Sequence, residues 1–352
     1  MQTNNEYIDL TKTSSYDYDL PKELIAQDPA EPRDSSRLLV VSRGRDSVFH
    51  NTFRNIGKYL KQGDLLVMND TRVLPARLYG RKKDGSANVE IFVLQPLSSH
   101  VWTALVKPGK KLKPGAAVIL DGRIEITIGE RLEDGLRKIE FSASDDPLRV
   151  IHEYGTVPLP HYITDTRAEP ERYQTVYSRL DKENSVAAPT AGLHFTPELL
   201  SLLRAGGIKT AFVTLQVGLG TFRPVKAEDI SEHIMHNELC EINDETAETI
   251  RETKKSGGRV IAVGTTVVRT LESFAKEFGE IRPGIMDTRL FIHPGFEFKV
   301  IDGLITNFHL PKSTLLMLVS AFGGYETMMS AYRTAVEERY RFFSFGDSMF
   351  IS

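Results

Sequence analysis

Hydrophobic and polar positions along the chain follow two patterns, and the first is typical of alternating strands and helices. Short apolar runs predict strands at residues 37–42, 64–68, 209–217, 260–263 and 349–351. Helical spacing with start and stop signals predicts helices at residues 20–25, 53–60, 197–205, 244–255, 267–278, 314–321 and 326–339. The order helix, Gly-Gly, strand occurs twice, at 206–207 and 257–258, which favours helices layered on a mixed or parallel sheet.

The second pattern covers residues 76–142, where short segments alternate between apolar and polar positions. Asp-Gly pairs at 84–85, 121–122 and 134–135 separate these segments, and this pair favours the positive φ angles of tight hairpins. Several short strands at this spacing predict a small all-β barrel or sandwich. We therefore expect an α/β fold, in which a discontinuous layered domain with a mixed sheet (1–75 and 155–352) receives an inserted β-barrel domain (76–154).

The composition is that of an ordinary globular protein, with 41% hydrophobic and 26% charged residues among 352. Because the formal net charge is -3, any contact with nucleic acid must come from a local basic patch. Cys240 is the only cysteine, so neither an intrachain disulfide nor a cysteine-based zinc site can form. The chain shows no signal-peptide pattern and no apolar run of the ~18 residues that span a bilayer. We expect a cytoplasmic protein outside any membrane.

Residues 187–195, which read AAPTAGLHF, form the first candidate active-site loop. Small residues let the backbone approach a ligand, helix N-terminal amides favour anions, and His194 is of a type that titrates near neutral pH. A tight loop around a buried, hydrogen-bonded histidine explains the same pattern equally well.

The Gly-x-Gly at 218–220 suggests a turn close to a nucleotide. Since Arg223 stands where the dinucleotide fingerprint has its third glycine, an ordinary turn is favoured.

Three further segments carry polar side chains at the ends of predicted elements. The threonines at 265–266 could bind ribose or carboxylate, although helix capping is their commoner use. His233, His236 and Glu238 are metal-ligand types at helical spacing. No familiar metal motif is complete there, so we favour hydrogen-bonding or acid–base roles. Residues 306–314 join a strand-like stretch to a helix, and helix capping is the alternative to a functional role.

Lysine and arginine are concentrated in the β segment. Residues 76–141 hold 12 Lys or Arg against 8 Asp or Glu, including the basic runs at 81–83 and 107–113. Such a patch could contact phosphates, although a solvated lysine face is the more frequent outcome of this pattern and is preferred on charge alone. These spacings indicate an α/β enzyme with a polar, histidine-rich site, and they do not identify a reaction.

Longer motifs provide a resemblance that covers residues 18–351. The motifs are NDTRVLPARLYGRK, RYQTVYS, VAAPTAGLHF, FVTLQVGLGTFRPV, EHIMHNE, VIAVGTTVVRTLES, DGLITNFHLPKSTLLMLVSAFGG and YRFFSFGDSMFI. In this order they closely resemble the S-adenosylmethionine:tRNA ribosyltransferase-isomerase family of queuosine biosynthesis. Motifs of this length and order are highly specific.

The resemblance implies a reaction, two substrates and a fold. The ribosyl part of S-adenosylmethionine moves onto the aminomethyl group of 7-aminomethyl-7-deazaguanine in a tRNA anticodon, and the ribose is isomerised to an epoxycyclopentanediol. Epoxyqueuosine forms, and adenine and methionine are released. The resemblance also implies a discontinuous α/β domain with a small β-barrel, and no metal. We expect the protein to act as a monomer.

The implied chemistry requires a base that removes a proton from the carbon beside the sulfonium, and a neutral histidine suits this role at neutral pH. The candidate bases are, in order of preference, His194, His236 and His309, and their rivals are Asp70 and Glu238. The candidates for cation–π contact with the sulfonium are Phe195, Phe222 and Phe308. The candidates for pairing with the methionine carboxylate are Arg269 and Lys312.

The remaining expected binding residues come from the same loops and from the basic runs. The expected S-adenosylmethionine-binding residues are Thr190, Gly192, Phe195, Gly218, Gly220, Thr221, Gly264, Thr265, Thr266, Arg269, Asn307 and Lys312. The expected tRNA-binding residues are Arg72, Arg81, Lys107, Lys110 and Lys111. We expect no residue to bind a metal ion.

The sequence departs from the usual family pattern at four positions. Gln216 stands where His is usual, and Val267 stands where Ser is common. His161 replaces a Pro, and His293 replaces a Tyr. Because the surrounding motifs are intact, we interpret Gln216 as a tolerated polar exchange. Two other functions remain as alternatives: an S-adenosylmethionine-dependent RNA methyltransferase, and a non-catalytic RNA-binding module, against which the small net charge argues.

Overall fold

The computed structural model describes residues 8–45, 47–110, 112–218, 225 and 227–352. Contacts between Cα atoms divide the chain into two compact units. The first, called the sheet unit here, consists of the chain up to Asp70 together with His161–Ser178 and Pro189–Ser352. The second, called the barrel unit, consists of Thr71–Pro160 and Arg179–Ala188.

Strands and α-helices are numbered in chain order over the described residues. The strands are β1 (Arg37–Val41), β2 (Val48–Thr52), β3 (Leu65–Asn69), β4 (Arg72–Val73), β5 (Arg77–Lys82), β6 (Asn88–Pro96), β7 (Val101–Lys107), β8 (Ala116–Leu120), β9 (Ile124–Arg131), β10 (Arg137–Phe141), β11 (Gly155–Thr156), β12 (Glu183–Ser185), β13 (Lys209–Leu215), β14 (Glu238–Ile242), β15 (Val260–Val263), β16 (Gly284–Thr288), β17 (Gly303–Asn307) and β18 (Ser348–Ile351). The helices are α1 (Pro147–Tyr154), α2 (Pro197–Ala205), α3 (Asp244–Lys255), α4 (Thr265–Phe278), α5 (Thr314–Gly323) and α6 (Tyr325–Glu337).

The sheet unit is built on one mixed sheet of nine strands in the order β16-β14-β13-β3-β15-β17-β18-β1-β2. Its four central neighbours, β13, β3, β15 and β17, run parallel. Leu65 of β3 pairs with both Lys209 of β13 and Val260 of β15, so the carboxyl ends of these strands lie at one edge of the sheet. Every residue of β3, β15 and β17 is buried, which explains why β3 and β15 read as apolar runs.

Local sequence signals fix the starts of the helices that pack on this sheet. At α2, the Thr196 hydroxyl accepts a hydrogen bond from the backbone N–H of Leu199 over 3.1 Å, and a proline occupies the first turn. At α3, the Asn243 side chain accepts a hydrogen bond from the Thr246 N–H over 2.8 Å. At α4, the N-cap is Gly264 with φ +94°, a conformation that favours glycine, and no side chain caps the helix.

Six antiparallel strands of the barrel unit, in the order β5-β6-β7-β10-β9-β8, close into a barrel through the pairing of β8 with β5. Buried apolar side chains such as Leu78, Ile91 and Ile126 fill its interior. Closure brings β5 and β8 so close that a Cβ on Gly80 would lie 2.7 Å from the carbonyl oxygen of Ile119. The predicted α/β fold, with a mixed sheet and a small β-barrel, is therefore confirmed.

Two predicted helices differ from the structure. Within 20–25 and 53–60 the chain forms only 3₁₀ turns, Lys22–Leu24 and Phe53–Tyr59. The buried side chains of the second turn are three residues apart, a spacing that a 3₁₀ turn places on one face.

The sequence pattern does not predict α1, β2, β14 or β16. The three strands lie at or next to the sheet edges and expose part of their residues, so they lack a continuous apolar run. The domain boundaries at 75/76 and 154/155 stay a prediction. Among the described residues, none of the helices has the length and apolar character needed to cross a membrane.

Candidate active site

The carboxyl edge of the four parallel strands collects most of the polar motifs of the sheet unit. Asp70 follows β3, Gln216 follows β13, Gly264 follows β15, and Asn307 ends β17. In the sheet, β13 lies on one side of β3 and β15 lies on the other side. The direction in which successive parallel strands are added therefore reverses at β3. Open α/β sheets bind ligands in the crevice at such a reversal. Asp70 lies at this point.

Side chains at the end of β3 extend the hydrogen-bond ladder of the sheet. Asn69 donates from Nδ2 to the carbonyl oxygen of Leu215 over 3.1 Å and accepts from the N–H of the same residue at Oδ1 over 3.1 Å. Its Nδ2 also lies 3.4 Å from the hydroxyl oxygen of Thr266 in α4. The buried carboxylate of Asp70 accepts a hydrogen bond from the Thr214 hydroxyl over 2.7 Å. The end of β3 therefore carries one fixed amide and one oriented carboxylate.

His194 ends a 3₁₀ turn, Thr190–His194, and is 4% exposed. Its Nδ1 lies 2.8 Å from the Ser36 hydroxyl oxygen, and its Nε2 lies 3.2 Å from Nδ2 of Asn307. Asn307 Nδ2 also donates to the carbonyl oxygen of Phe343 over 3.0 Å, which fixes the orientation of the amide. Nε2 of His194 must therefore accept, and Nδ1 carries the proton and donates to Ser36.

The surroundings of His194 keep its imidazole neutral. Burial first, and then the nearby Arg341 and Arg33 guanidinium groups, lower the pKa of His194 to about 3. His309 has a similar environment: its Nε2 lies 2.9 Å from the Thr306 hydroxyl oxygen, and burial lowers the pKa of His309 to about 3. Both histidines are thus hydrogen-bonded, neutral groups behind the carboxyl edge.

A buried ion pair joins the start of β14 to α4. Glu238, the first residue of β14, is paired with Arg269 of α4, and its Oε1 accepts from the Gly218 N–H over 3.3 Å. Arg269 also donates from Nε to the carbonyl oxygen of Leu290 over 3.2 Å. Nη2 of Arg269 is buried and has no hydrogen-bond partner in the described part of the chain. An unpaired guanidinium N–H in a polar crevice is suited to an anionic ligand.

Two residues against the candidate loop, Tyr177 and Thr175, could not be identified from the sequence. A Cβ on Gly192 would lie 1.9 Å from the Tyr177 hydroxyl oxygen and 2.9 Å from Cγ2 of Thr175. Both hydroxyl oxygens are buried and have no hydrogen-bond partner among the described residues. The motif RYQTVYS, which contains both residues, was the only available signal, and it gives no indication of this contact.

The loop and the start of α4 lie next to each other, whereas neither of the two phenylalanine candidates that the structure describes is open to a ligand. The Cβ of Ala191, which lies between Thr190 and Gly192, is 3.6 Å from the position that a Cβ on Gly264 would occupy. Phe195 and Phe308 are completely buried among other aromatic rings. The neighbours Thr265 and Thr266 follow Gly264 in the first turn of α4, where neither caps the helix.

Two other candidates lie on the surface of the sheet unit. His236 is exposed in the loop before β14. His233, His236 and Glu238 do not lie on a helix, since they follow the 3₁₀ turn Ile230–Glu232 and Glu238 begins a strand. Lys312 forms an ion pair with Asp17 over 2.6 Å, and both side chains are about half exposed.

Some expected residues can be placed only in part. Gly220, Thr221 and Phe222, and the tRNA candidate Lys111, lie outside the described residues. In the barrel unit, Arg81, Lys107 and Lys110 are exposed, and Arg72 pairs with Glu183 over 3.4 Å. Within the ranges that the structure describes, no three His, Cys, Asp or Glu side chains are grouped so that they could hold a metal ion.

Comparisons with known proteins give a consistent set of similarities. A family model described as queuosine biosynthesis protein matches residues 13–351. The S-adenosylmethionine:tRNA ribosyltransferase-isomerase of Thermotoga petrophila is 53% identical over 340 residues, which cover 97% of this chain and 99% of the relative. The protein of that name from Thermosipho africanus is 56% identical over 341 residues with the same coverage. A crystal structure of the S-adenosylmethionine tRNA ribosyltransferase of Thermotoga maritima matches with a TM-score of 0.57 and 43% identity, covering 96% of this chain and 100% of that chain.

Proposed function

This chain belongs to the queuosine biosynthesis protein family, and on that premise we propose that it acts as an S-adenosylmethionine:tRNA ribosyltransferase-isomerase. It moves the ribosyl part of S-adenosylmethionine onto the aminomethyl group of 7-aminomethyl-7-deazaguanine in a tRNA anticodon. The ribose becomes an epoxycyclopentanediol, and adenine and methionine leave. The observation that carries the proposal is the match over 97% of the chain to relatives of this name at 53% and 56% identity.

The polar groups of the carboxyl edge fit those of S-adenosylmethionine. Each buried polar group without a hydrogen-bond partner costs about 1–3 kcal/mol of folding free energy, so a ligand that forms hydrogen bonds with such groups is favoured. Such groups at the edge are Arg269 Nη2, Asn307 Oδ1 and the hydroxyls of Tyr177 and Thr175. We assign Arg269 to the methionine carboxylate. The uncapped first turn of α4, with Gly264, Thr265 and Thr266, binds the ribose. The turn with Thr190 and Gly192 covers the ribose. Gly218, whose N–H donates to Glu238, borders the ribose on the Glu238 side.

Asp70 is the base that we assign to the first proton transfer. The sulfonium acidifies the 5′ carbon of S-adenosylmethionine, and the Asp70 carboxylate takes that proton. Adenine must leave, and the tRNA amine must attack the 1′ carbon. Asp70 is preferred because it lies at the strand-order reversal, held by Thr214. The carboxylate of Glu238 is already paired with Arg269, and His236 is exposed in a loop.

His194 and His309 have a positioning role in this account. Both ring nitrogens of His194 are occupied, so its Nε2 cannot take a proton without losing the hydrogen bond from Asn307. The neutral imidazole instead holds the Asn307 amide so that Oδ1 faces the crevice. His309 holds the neighbouring end of β17 through Thr306.

The barrel unit supplies phosphate contacts for the tRNA. The exposed side chains of Arg81, Lys107 and Lys110 bind the backbone, and their contribution falls as salt rises because counterions are released. We also assign Lys111 to this group from its place in the basic run. The RNA substrate implies action in the cytoplasm.

Release of free adenine tests the proposed function. The purified protein is mixed with S-adenosylmethionine and with tRNA that carries 7-aminomethyl-7-deazaguanine, and adenine is measured by chromatography. Adenine released in proportion to the modified base supports the proposal, and the same tRNA with guanine at that position is the control. A non-catalytic RNA-binding module would bind the tRNA and release no adenine.

A further inference from the structure

A groove lies on the barrel unit, and all of its lining residues belong to that unit. Its volume is about 1090 Å³, and it lies where the hairpin after β5, the turn after β8 and the end of β7 come together. Tyr79 and Arg81 of β5 and Lys107 of β7 line it. Lys82, from the basic run at 81–83, also lines the groove, whereas no sequence motif pointed to Tyr79.

The cationic side chains of the groove differ in whether they are neutralised. Lys83 forms an ion pair with Glu125 over 2.7 Å, and Glu90 is paired with Arg77 over 3.7 Å. In contrast, three cations of the groove have no carboxylate within ion-pair distance in the part of the chain that the structure describes: Arg81, Lys82 and Lys107. The carboxylates Glu90 and Asp121 also line the groove without forming an ion pair with these three cations, whose charges are therefore open to solvent ions or an anionic partner.

Tyr79 presents an exposed aromatic ring beside these charges. Its side chain is 55% exposed, and it precedes Arg81 by two residues, so both lie on the same face of β5. Glu90 of β6 lies directly opposite Tyr79, and Lys107 of β7 lies directly opposite Glu90, so the three residues form one row across the strands. An exposed ring flanked by unpaired cations matches the two parts of a surface that binds single-stranded nucleic acid, a stacking platform and a backbone track.

We propose that this groove binds an unpaired stretch of RNA, with one base stacked on Tyr79 and the adjoining phosphates bound by Arg81 and Lys107. The inference rests on the proposed function only in identifying the RNA as the tRNA substrate. The ring distinguishes RNA from an acidic polypeptide, because a row of carboxylates uses the cations alone and gains no stacking from Tyr79.

The test measures tRNA affinity by fluorescence anisotropy over a range of salt concentrations. Tyr79→Ala should weaken binding about tenfold, and Tyr79→Phe should bind like the wild type, since it retains the ring. Arg81→Ala and Lys107→Ala should each lower the slope of log affinity against log salt by about 0.7–0.9. Lys138→Ala is the matched control, because β10 is three strands away from β5 in either direction around the barrel and Lys138 is paired with Glu130.

The outcomes separate this inference from the proposed function. If folded Tyr79→Ala binds tRNA like the wild type, or if polyglutamate displaces tRNA equally from Tyr79→Ala and wild type, the groove does not stack a base and the inference is overturned. In either case, adenine release by the wild type still supports the proposed function. Support for the groove is a higher KM for tRNA in Tyr79→Ala with kcat unchanged.

Discussion

The Asn307 amide donates to Nε2 of His194 over 3.2 Å, and its orientation is fixed by a second donation to the carbonyl oxygen of Phe343. This relationship sets the tautomer of a completely enclosed imidazole, which then donates from Nδ1 to Ser36. It converts a titratable side chain in the candidate loop into a neutral structural element. This is why we propose a carboxylate, rather than a histidine, for proton transfer at the carboxyl edge.

Folding stability should fall on acidification through the two buried histidines. In the folded state the pKa of His194 and of His309 is about 3, below the ordinary histidine pKa of about 6.5 that applies when the chain is unfolded. The unfolded chain therefore binds more protons between these values. The stability from each neutral imidazole is fully present above pH 6.5 and is lost as pH falls toward 3, by about 1.4 kcal/mol per pH unit.

Urea unfolding at several pH values checks this dependence. His309→Gln removes one titrating group, so the slope of unfolding free energy against pH should decrease by about 1.4 kcal/mol per unit below pH ~6. Comparing slopes removes the constant cost of the substitution and the contribution of the carboxylates common to both proteins. Equal slopes in His309→Gln and wild type would show that His309 is not kept neutral by the fold.

The contact between Gly192 and Tyr177 predicts a specific pair of stability effects. In Gly192→Ala the new Cβ would lie 1.9 Å from the Tyr177 hydroxyl oxygen, so overpacking should cost about 1–3 kcal/mol. Adding Tyr177→Phe should restore part of that loss. Tyr177→Phe alone is the control and should be near neutral, since its buried hydroxyl has no protein partner in the described chain. Additive losses in the double variant would contradict this account of the loop.

Arg269→Lys should weaken binding of S-adenosylmethionine. A lysine ammonium cannot hold Glu238 and the Leu290 carbonyl oxygen while also presenting a second N–H to the ligand. We expect the Kd measured by calorimetry to rise about tenfold or more, equivalent to about 1.4 kcal/mol, with tRNA affinity unchanged. Arg251→Lys, on the exposed face of α3, is the control. An unchanged Kd in folded Arg269→Lys would remove Arg269 from the binding site.

Asp70→Asn should abolish most of the turnover. The substitution keeps the size of the side chain and an oxygen that can accept from Thr214, but it removes the base, so adenine release should fall about 10²–10⁴-fold. Binding of S-adenosylmethionine should stay within a few-fold of wild type. Asp287→Asn, an exposed carboxylate on β16, is the matched control. Wild-type turnover in Asp70→Asn would return the base role to the histidines or to Glu238.

Much of the fold could be predicted because its central strands are buried on both faces and carry unbroken apolar runs. The helices α2 and α3 were predicted residue for residue, since a cap at Thr196 or Asn243 and a Gly-Gly stop delimit them. The strand β16 could not be predicted, because an edge strand with exposed positions has no such run.

The candidate loops could also be found from sequence, but the state of their side chains could not. Parallel strands bring the residues after β3, β15 and β17 to one edge, as their positions at predicted strand ends suggest. The neutrality of His194 depends on Ser36 and Asn307, which are distant in sequence. The unpaired hydroxyl of Tyr177 is likewise a property of packing.

The fate of labels in S-adenosylmethionine tests the central claim most directly. The protein is incubated with modified tRNA and with S-adenosylmethionine that carries one label in the ribose and a different label in the methyl group. The account predicts that the ribose label becomes bound to the tRNA, while the methyl label is recovered in free methionine. Methyl label bound to the tRNA, with the ribose label left in S-adenosylhomocysteine, would identify a methyltransferase and contradict the account.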